Sequence, residues 1–145
     1  MSATADLLDV NVWLALTLEG HPHHKAALEA WKTLERPTFC RVTQLGFLRL
    51  LCNVRVMGAA VLQPEAAWAV YERLRAGGTV HFIGESDELE AHLKPLLKGT
   101  KAARDFWTDA YLAAFARSAG LRLVTFDSGF RRYQDLTSLL LDANK

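Results

Sequence analysis

Apolar positions along this chain fall into two spacings. Short, nearly continuous apolar runs occur at "DLLDV" (6–10), "TFCRV" (38–42), "TVHFI" (79–83), "LRLVTF" (121–126) and "SLLLD" (138–142). Such runs suit strands buried on both faces of a parallel sheet. Between them the spacing changes to three and four residues, as in the stripe Ala27, Leu28, Trp31 and Leu34, and again in Ala67, Val70, Tyr71 and Leu74. That is the period of amphipathic helices.

Punctuation places the helices. "NVWLALTLEG" reads as a helix ending at Gly20, and Pro22 opens a second that runs to about Glu35. Thr43 is expected to cap a third over "QLGFLRLLCN". Gly58 and Pro64 bracket a loop, a fourth helix runs from Pro64 through Arg75, and Gly77-Gly78 stop it. "SDELEAHLKPLL" reads as a helix capped by Ser86 and disturbed by Pro95, and "RDFWTDAYLAAFARSAG" as one closed by Gly120. Strands alternating with helices predict βαβ units and a parallel sheet covered on both sides, within a single domain over residues 1–145.

Composition removes several classes of function. The 17 Lys+Arg against 16 Asp+Glu exclude a polyelectrolyte and a protein that holds nucleic acid by bulk charge. Cys40 and Cys52 form no C-x-x-C pair and read as small core residues. No apolar stretch reaches the roughly 18 residues of a membrane helix, and the start lacks the pattern of a signal peptide, so a cytoplasmic protein is expected.

The chemistry lies in where acids fall. Asp9 ends the first strand candidate and Asp127 follows the fourth, so both point to the carboxyl edge of the sheet, where ligands of such sheets bind. Asp109 lies in the first half of an otherwise apolar helix whose start returns to that edge. Carboxylates brought together repel, by about 4 kcal/mol per pair at 4 Å and an effective dielectric of 20, unless protonated or joined by a cation. All-oxygen donors select Mg²⁺ or Mn²⁺, and such ions commonly act on phosphates. Capping is the competing role: Asp9 for the helix near Asn11, Asp127 for "SGFRRY", and Asp109 for the positive end of its helix. Asp105, one turn before Asp109, reads as a helix-start residue. His21, His23 and His24 read as a polar turn, since no pair has i, i+4 spacing. Arg49, Arg55, Arg131 and Arg132 are candidates for phosphate contact or for ordinary surface ion pairs.

These segments, in this order, resemble the PIN-domain ribonucleases, specifically VapC-type toxins of toxin–antitoxin pairs. "LLDVNVWLAL" matches the family's opening strand with Asp9, "RVTQLGFLRLL" its second motif, and "TDAYLAAFARSAGLRLVTFDSGF" its third and fourth aspartates, Asp109 and Asp127. The resemblance implies a PIN-like three-layer α/β/α sandwich. It implies an endoribonuclease dependent on Mg²⁺ or Mn²⁺, with Asp9, Asp109 and Asp127 holding the metal, leaving a 5′-phosphate and a 3′-hydroxyl. It further implies an RNA substrate, a cognate antitoxin and a homodimer. Gln44 stands where many relatives have a glutamate, so the catalytic set would be Asp9, Asp109, Asp127 and Gln44 with three formal charges. Alternatives are a PIN-like nuclease of RNA or DNA processing, a catalytically weakened RNA-binding module, and a phosphoryl-aspartate receiver. The last lacks an acidic pair after the first strand and a lysine after the late one.

Overall fold

The structure is a computed structural model and describes residues 5–142. Its five strands are all parallel: β1 (Asp6–Leu8), β2 (Pro37–Phe39), β3 (His81–Phe82), β4 (Arg122–Thr125) and β5 (Ser138–Leu140), in the order β3-β2-β1-β4-β5. The chain builds outward from β1 through β2 to β3, then returns to the other side of β1 with β4. The order therefore reverses between β1 and β4, and the crevice of a doubly wound sheet opens beyond their carboxyl ends.

Period-two alternation divides the core. Leu7 and Leu123 point to one face, where they pack with Leu112, Phe115 and Phe130. Leu8 and Val124 point to the other, with Trp13, Phe39, Phe47 and Tyr71. The first face is covered by α6 (Leu89–Leu93) and α7 (Phe106–Ala119), the second by α1 (Val10–Thr17), α3 (Arg41–Leu51) and α5 (Pro64–Ala76); α2 (His24–Trp31) and α4 (Val54–Met57) complete the set. This is the expected α/β/α sandwich. The fully buried Trp13 stacks on Phe39 with centroids 3.9 Å apart and 7° between planes. Asp6 faces Arg122 across β1 and β4, and Arg122 grips its carboxylate through Nε at 2.7 Å and Nη2 at 3.1 Å. This buried carboxylate pins the amino ends of the two strands whose carboxyl ends carry the acids.

Several boundaries differ from expectation. The "TFCRV" strand stops at Phe39, because Cys40, not Thr43, is the N-cap of α3. Thr43 occupies the third helical position, and its hydroxyl accepts from the Cys40 N–H at 3.0 Å, closing a capping box that draws Arg41 and Val42 into the helix. "TVHFI" shortens to two paired residues. The second helix starts at His24, with Pro22 in the preceding turn, and ends at Trp31. The 86–97 segment divides into α6 and a 3-10 turn, Lys94–Leu97, that holds Pro95. The expected 58–64 loop is preceded by α4 and begins with a 3-10 turn. Among the described residues no helix is long and apolar enough to cross a membrane.

Candidate metal centre

The backbone of β1 continues one step past Leu8: the Asp9 N–H donates to the Val124 carbonyl at 2.9 Å. This fixes Asp9 beside Thr125. Asp9 then caps α1, accepting from the Val10 N–H at 2.8 Å on Oδ1, while its Oδ2 accepts from the Thr125 hydroxyl at 2.8 Å. The same hydroxyl accepts from the Asp127 N–H at 3.0 Å. Asp127 in turn caps the 3-10 turn Ser128–Arg132, accepting from the Gly129 N–H at 2.7 Å. The capping roles weighed for Asp9 and Asp127 are thus real. They also orient the two carboxylates, so a capping role does not exclude a ligand role for the same residues.

Asp109 arrives from the other element at this edge, in the first turn of α7. Its carboxyl is pushed up to about 6, first by burial, then by the charges of Asp9 and Asp127, against the relief given by Arg132. Burial likewise holds the Asp9 carboxyl above its ordinary value, with Asp127 and Asp105 adding repulsion against the bonds from Thr125 and Val10. Residues 9, 109 and 127, distant in sequence, therefore share one electrostatic environment. Asp105 joins it as a fourth acid. It stands at the N-cap position of α7 without a side-chain capping bond, and its charge acts on both Asp9 and Asp109.

Each carboxylate is held by its own partner, and among the described residues no three His, Cys, Asp or Glu side chains form a ready-made cage for an ion. Asp109 pairs with Arg132, Oδ2 to Nη2, at 3.5 Å. The donor chemistry nevertheless fits a hard divalent ion: all oxygen, anionic, and in mutual repulsion that a dication would relieve.

Gln44 is buried in the first turn of α3, and its Oε1 accepts from Arg41 Nη1 at 2.6 Å. Its oxygen is joined to the cation of its own helix, whose guanidinium also lies over the Phe82 ring at 4.6 Å. Arg49 is exposed in the last turn of the same helix, eight residues and about 12 Å from its start. His21 and His23 occupy a turn as expected, and His24 opens α2: His21 Nδ1 accepts from the His23 N–H at 3.0 Å, and His24 Nδ1 lies 2.7 Å from the Ala15 carbonyl. The His23 ring packs on Phe126 at 5.0 Å, next to Asp127, so this turn borders the site. Sequence reading missed the double role of Thr125. Its signal is local, a threonine two residues before an acid at a strand end, the spacing of a side-chain turn.

The PIN domain family matches residues 7–136. Ribonuclease VapC41 of Mycobacterium tuberculosis is 41% identical over 142 residues, spanning 93% of this chain and 97% of the relative. Among solved structures, VapBC2 from Rickettsia felis bound to a promoter DNA fragment superposes with a TM-score of 0.68 at 14% identity, covering 96% of this chain and 100% of that one. VapC20 of Mycobacterium tuberculosis, described as a sarcin-ricin loop cleaving toxin, superposes with a TM-score of 0.65 at 22% identity, covering 88% and 93%. With nearly the whole fold inside the family match and a relative 41% identical along almost its full length, this chain belongs to the PIN-domain family.

Proposed function

We propose that this chain is a divalent-metal-dependent endoribonuclease, the toxin of a toxin–antitoxin pair. One observation carries the chemistry: three carboxylates from separate segments, Asp9, Asp109 and Asp127, meet at the switch-point edge, where the charges of Asp9 and Asp127 help to hold the Asp109 carboxyl above its ordinary value and the charge of Asp127 does the same to Asp9. The 41% identity to a protein named as a ribonuclease supports the reaction class. In this reading Asp9, Asp109 and Asp127 hold Mg²⁺ or Mn²⁺, which supplies Lewis acidity for phosphodiester hydrolysis. The remaining work belongs to the chain. Thr125 orients Asp9 and tethers the backbone of Asp127. Asp105 adds negative potential for the ion. Gln44, a neutral member of the set, brings a carbonyl held by Arg41.

RNA is the substrate and acts locally, since the net charge of +1 gives no broad attraction. Lys101, Arg104 and Arg132 beside the acids supply that local positive charge. The cognate antitoxin and a second copy of the chain are the protein partners, in the cytoplasm. Support for the antitoxin comes from the solved neighbours that are toxin–antitoxin complexes. Exposed Leu45, Val54, Val56 and Trp68 on α3, α4 and α5 offer apolar surface for protein cover.

The test is cleavage of RNA by the purified chain with Mg²⁺ or Mn²⁺, beside Asp9→Asn and Asp127→Asn. Both variants should retain the wild-type circular dichroism and lose cleavage. Wild-type rates in both would overturn the assignment.

A further inference from the structure

Arg132 is the most heavily engaged cation at this edge. Its Nη1 donates to the Gly129 carbonyl at 3.0 Å, its Nη2 donates to the Tyr133 hydroxyl at 2.8 Å, and its guanidinium lies 4.5 Å from the centre of the Tyr133 ring. These contacts anchor it independently of Asp109. The bond to Asp109 is the looser attachment, 3.5 Å long with the arginine side chain 44% exposed, the class of ion pair that is readily exchanged.

Arg132 also stands in the wall between two clefts of about 400 Å³ each. One holds Lys101 and Arg104 beside Asp105 and Asp109. The other holds Lys98 and Arg117 beside Tyr133. Both carry the positive charge a phosphate backbone needs, and they share Thr100 and Arg132, the second of which reaches Asp109 in the first cleft. A dication taking up Asp109 would repel the guanidinium, whose tethers to Gly129 and Tyr133 would keep it at the junction of the clefts while the Nη2 hydrogen that faced Asp109 is released. A charged guanidinium N–H donates strongly to a phosphate oxygen.

We infer that Arg132 is an exchangeable counter-ion: it competes with the divalent ion for Asp109 and, once displaced, becomes the phosphate contact that couples metal binding to RNA binding. This rests on the reading of the aspartates as the metal centre. By linkage the coupling is reciprocal, so metal should tighten RNA and RNA should tighten metal.

The test uses the full chain, Mn²⁺ titrated by calorimetry without nucleic acid, and a fully 2′-O-methylated oligonucleotide followed by fluorescence anisotropy. Arg132→Ala should bind Mn²⁺ about 3-fold more tightly than wild type, the scale of a half-exposed ion pair removed. Arg132→Lys, which keeps the charge, should match wild type. Mn²⁺ should strengthen oligonucleotide binding in wild type, and this enhancement should vanish in Arg132→Ala. A purely structural arginine would not tighten Mn²⁺ when removed. Unchanged or weaker Mn²⁺ binding by Arg132→Ala, with wild type binding the ion, overturns the exchange and leaves the metal centre standing. A lysine variant as tight as the alanine variant overturns its electrostatic basis. No Mn²⁺ binding by wild type overturns the metal centre and the exchange together.

Discussion

The Thr125 hydroxyl donates to Asp9 Oδ2 at 2.8 Å and accepts from the Asp127 backbone at 3.0 Å, so one oxygen sets the positions of two acids 118 residues apart in the chain. Neither bond is needed to form β4, whose ladder is made by its backbone. Thr125→Val keeps the buried volume and the branched shape but removes both bonds. Metal affinity or cleavage should fall about 10- to 100-fold, the usual effect of losing a group that orients ligands. Thr125→Ser should recover most of it, and Mn²⁺ calorimetry beside RNA cleavage reads the result.

Asp109 tests whether the cluster works against stability. Its folded-state carboxyl titrates at about 6 against an ordinary 3.8, so ionisation costs the fold something as pH rises from about 4 through 6, and the cost is constant above that. Asp109→Asn removes the charge and leaves Arg132 half exposed, where it needs no partner. In chelator at pH 7.5 the variant should melt about 2 °C higher than wild type, a shift already reduced for solvent screening. The advantage should shrink as pH falls below 6. A variant that melts lower at pH 7.5 would show that the Arg132 pair outweighs the repulsion.

How far the sequence carries can be judged residue by residue. Asp9 and Asp127 were legible because each ends an apolar run, and strand direction alone sends both to one edge. Asp109 followed from the return of α7. Thr125 and Asp6 were not legible as a bridge and an anchor, because their roles depend on β1 lying against β4, a pairing across more than a hundred residues. The start of α3 was misplaced for a local reason: Thr43 is a capping residue by type, but it caps from the third helical position, and the buried Cys40 takes the N-cap. The ends of α2 and α6 depend on tertiary packing that periodicity does not report.

Gln44 asks whether the missing charge matters. Its side chain is 3% exposed and already faces the Arg41 guanidinium, so a carboxylate in its place would have a counter-ion at 2.6 Å. Gln44→Glu should therefore fold normally and bind Mg²⁺ with wild-type affinity or up to about 10-fold more tightly, as a further formal charge is added to the proposed ligand set. Much weaker Mg²⁺ binding in a calorimetric titration would remove Gln44 from the site.

Gly46 ties helix packing to the same acid. A Cβ at this position would lie 2.8 Å from Val10 Cγ2, closer than side chains tolerate, so α3 meets the start of α1 through a glycine. Val10 is the residue whose N–H holds Asp9 Oδ1. Alanine would gain about 1 kcal/mol of helix propensity at this position. Overpacking costs about 1–3 kcal/mol, and the short, branched valine has no distant end to swing aside. The clash should win: Gly46→Ala is expected to lower stability by about 1 kcal/mol and to weaken Mn²⁺ binding, because the strain is relieved by moving the Asp9 cap. Adding Val10→Ala should open the space and restore the metal affinity, though not the packing of the lost valine. Equal Mn²⁺ affinity in wild type and Gly46→Ala would mean that the helix contact and the Asp9 carboxylate are mechanically independent.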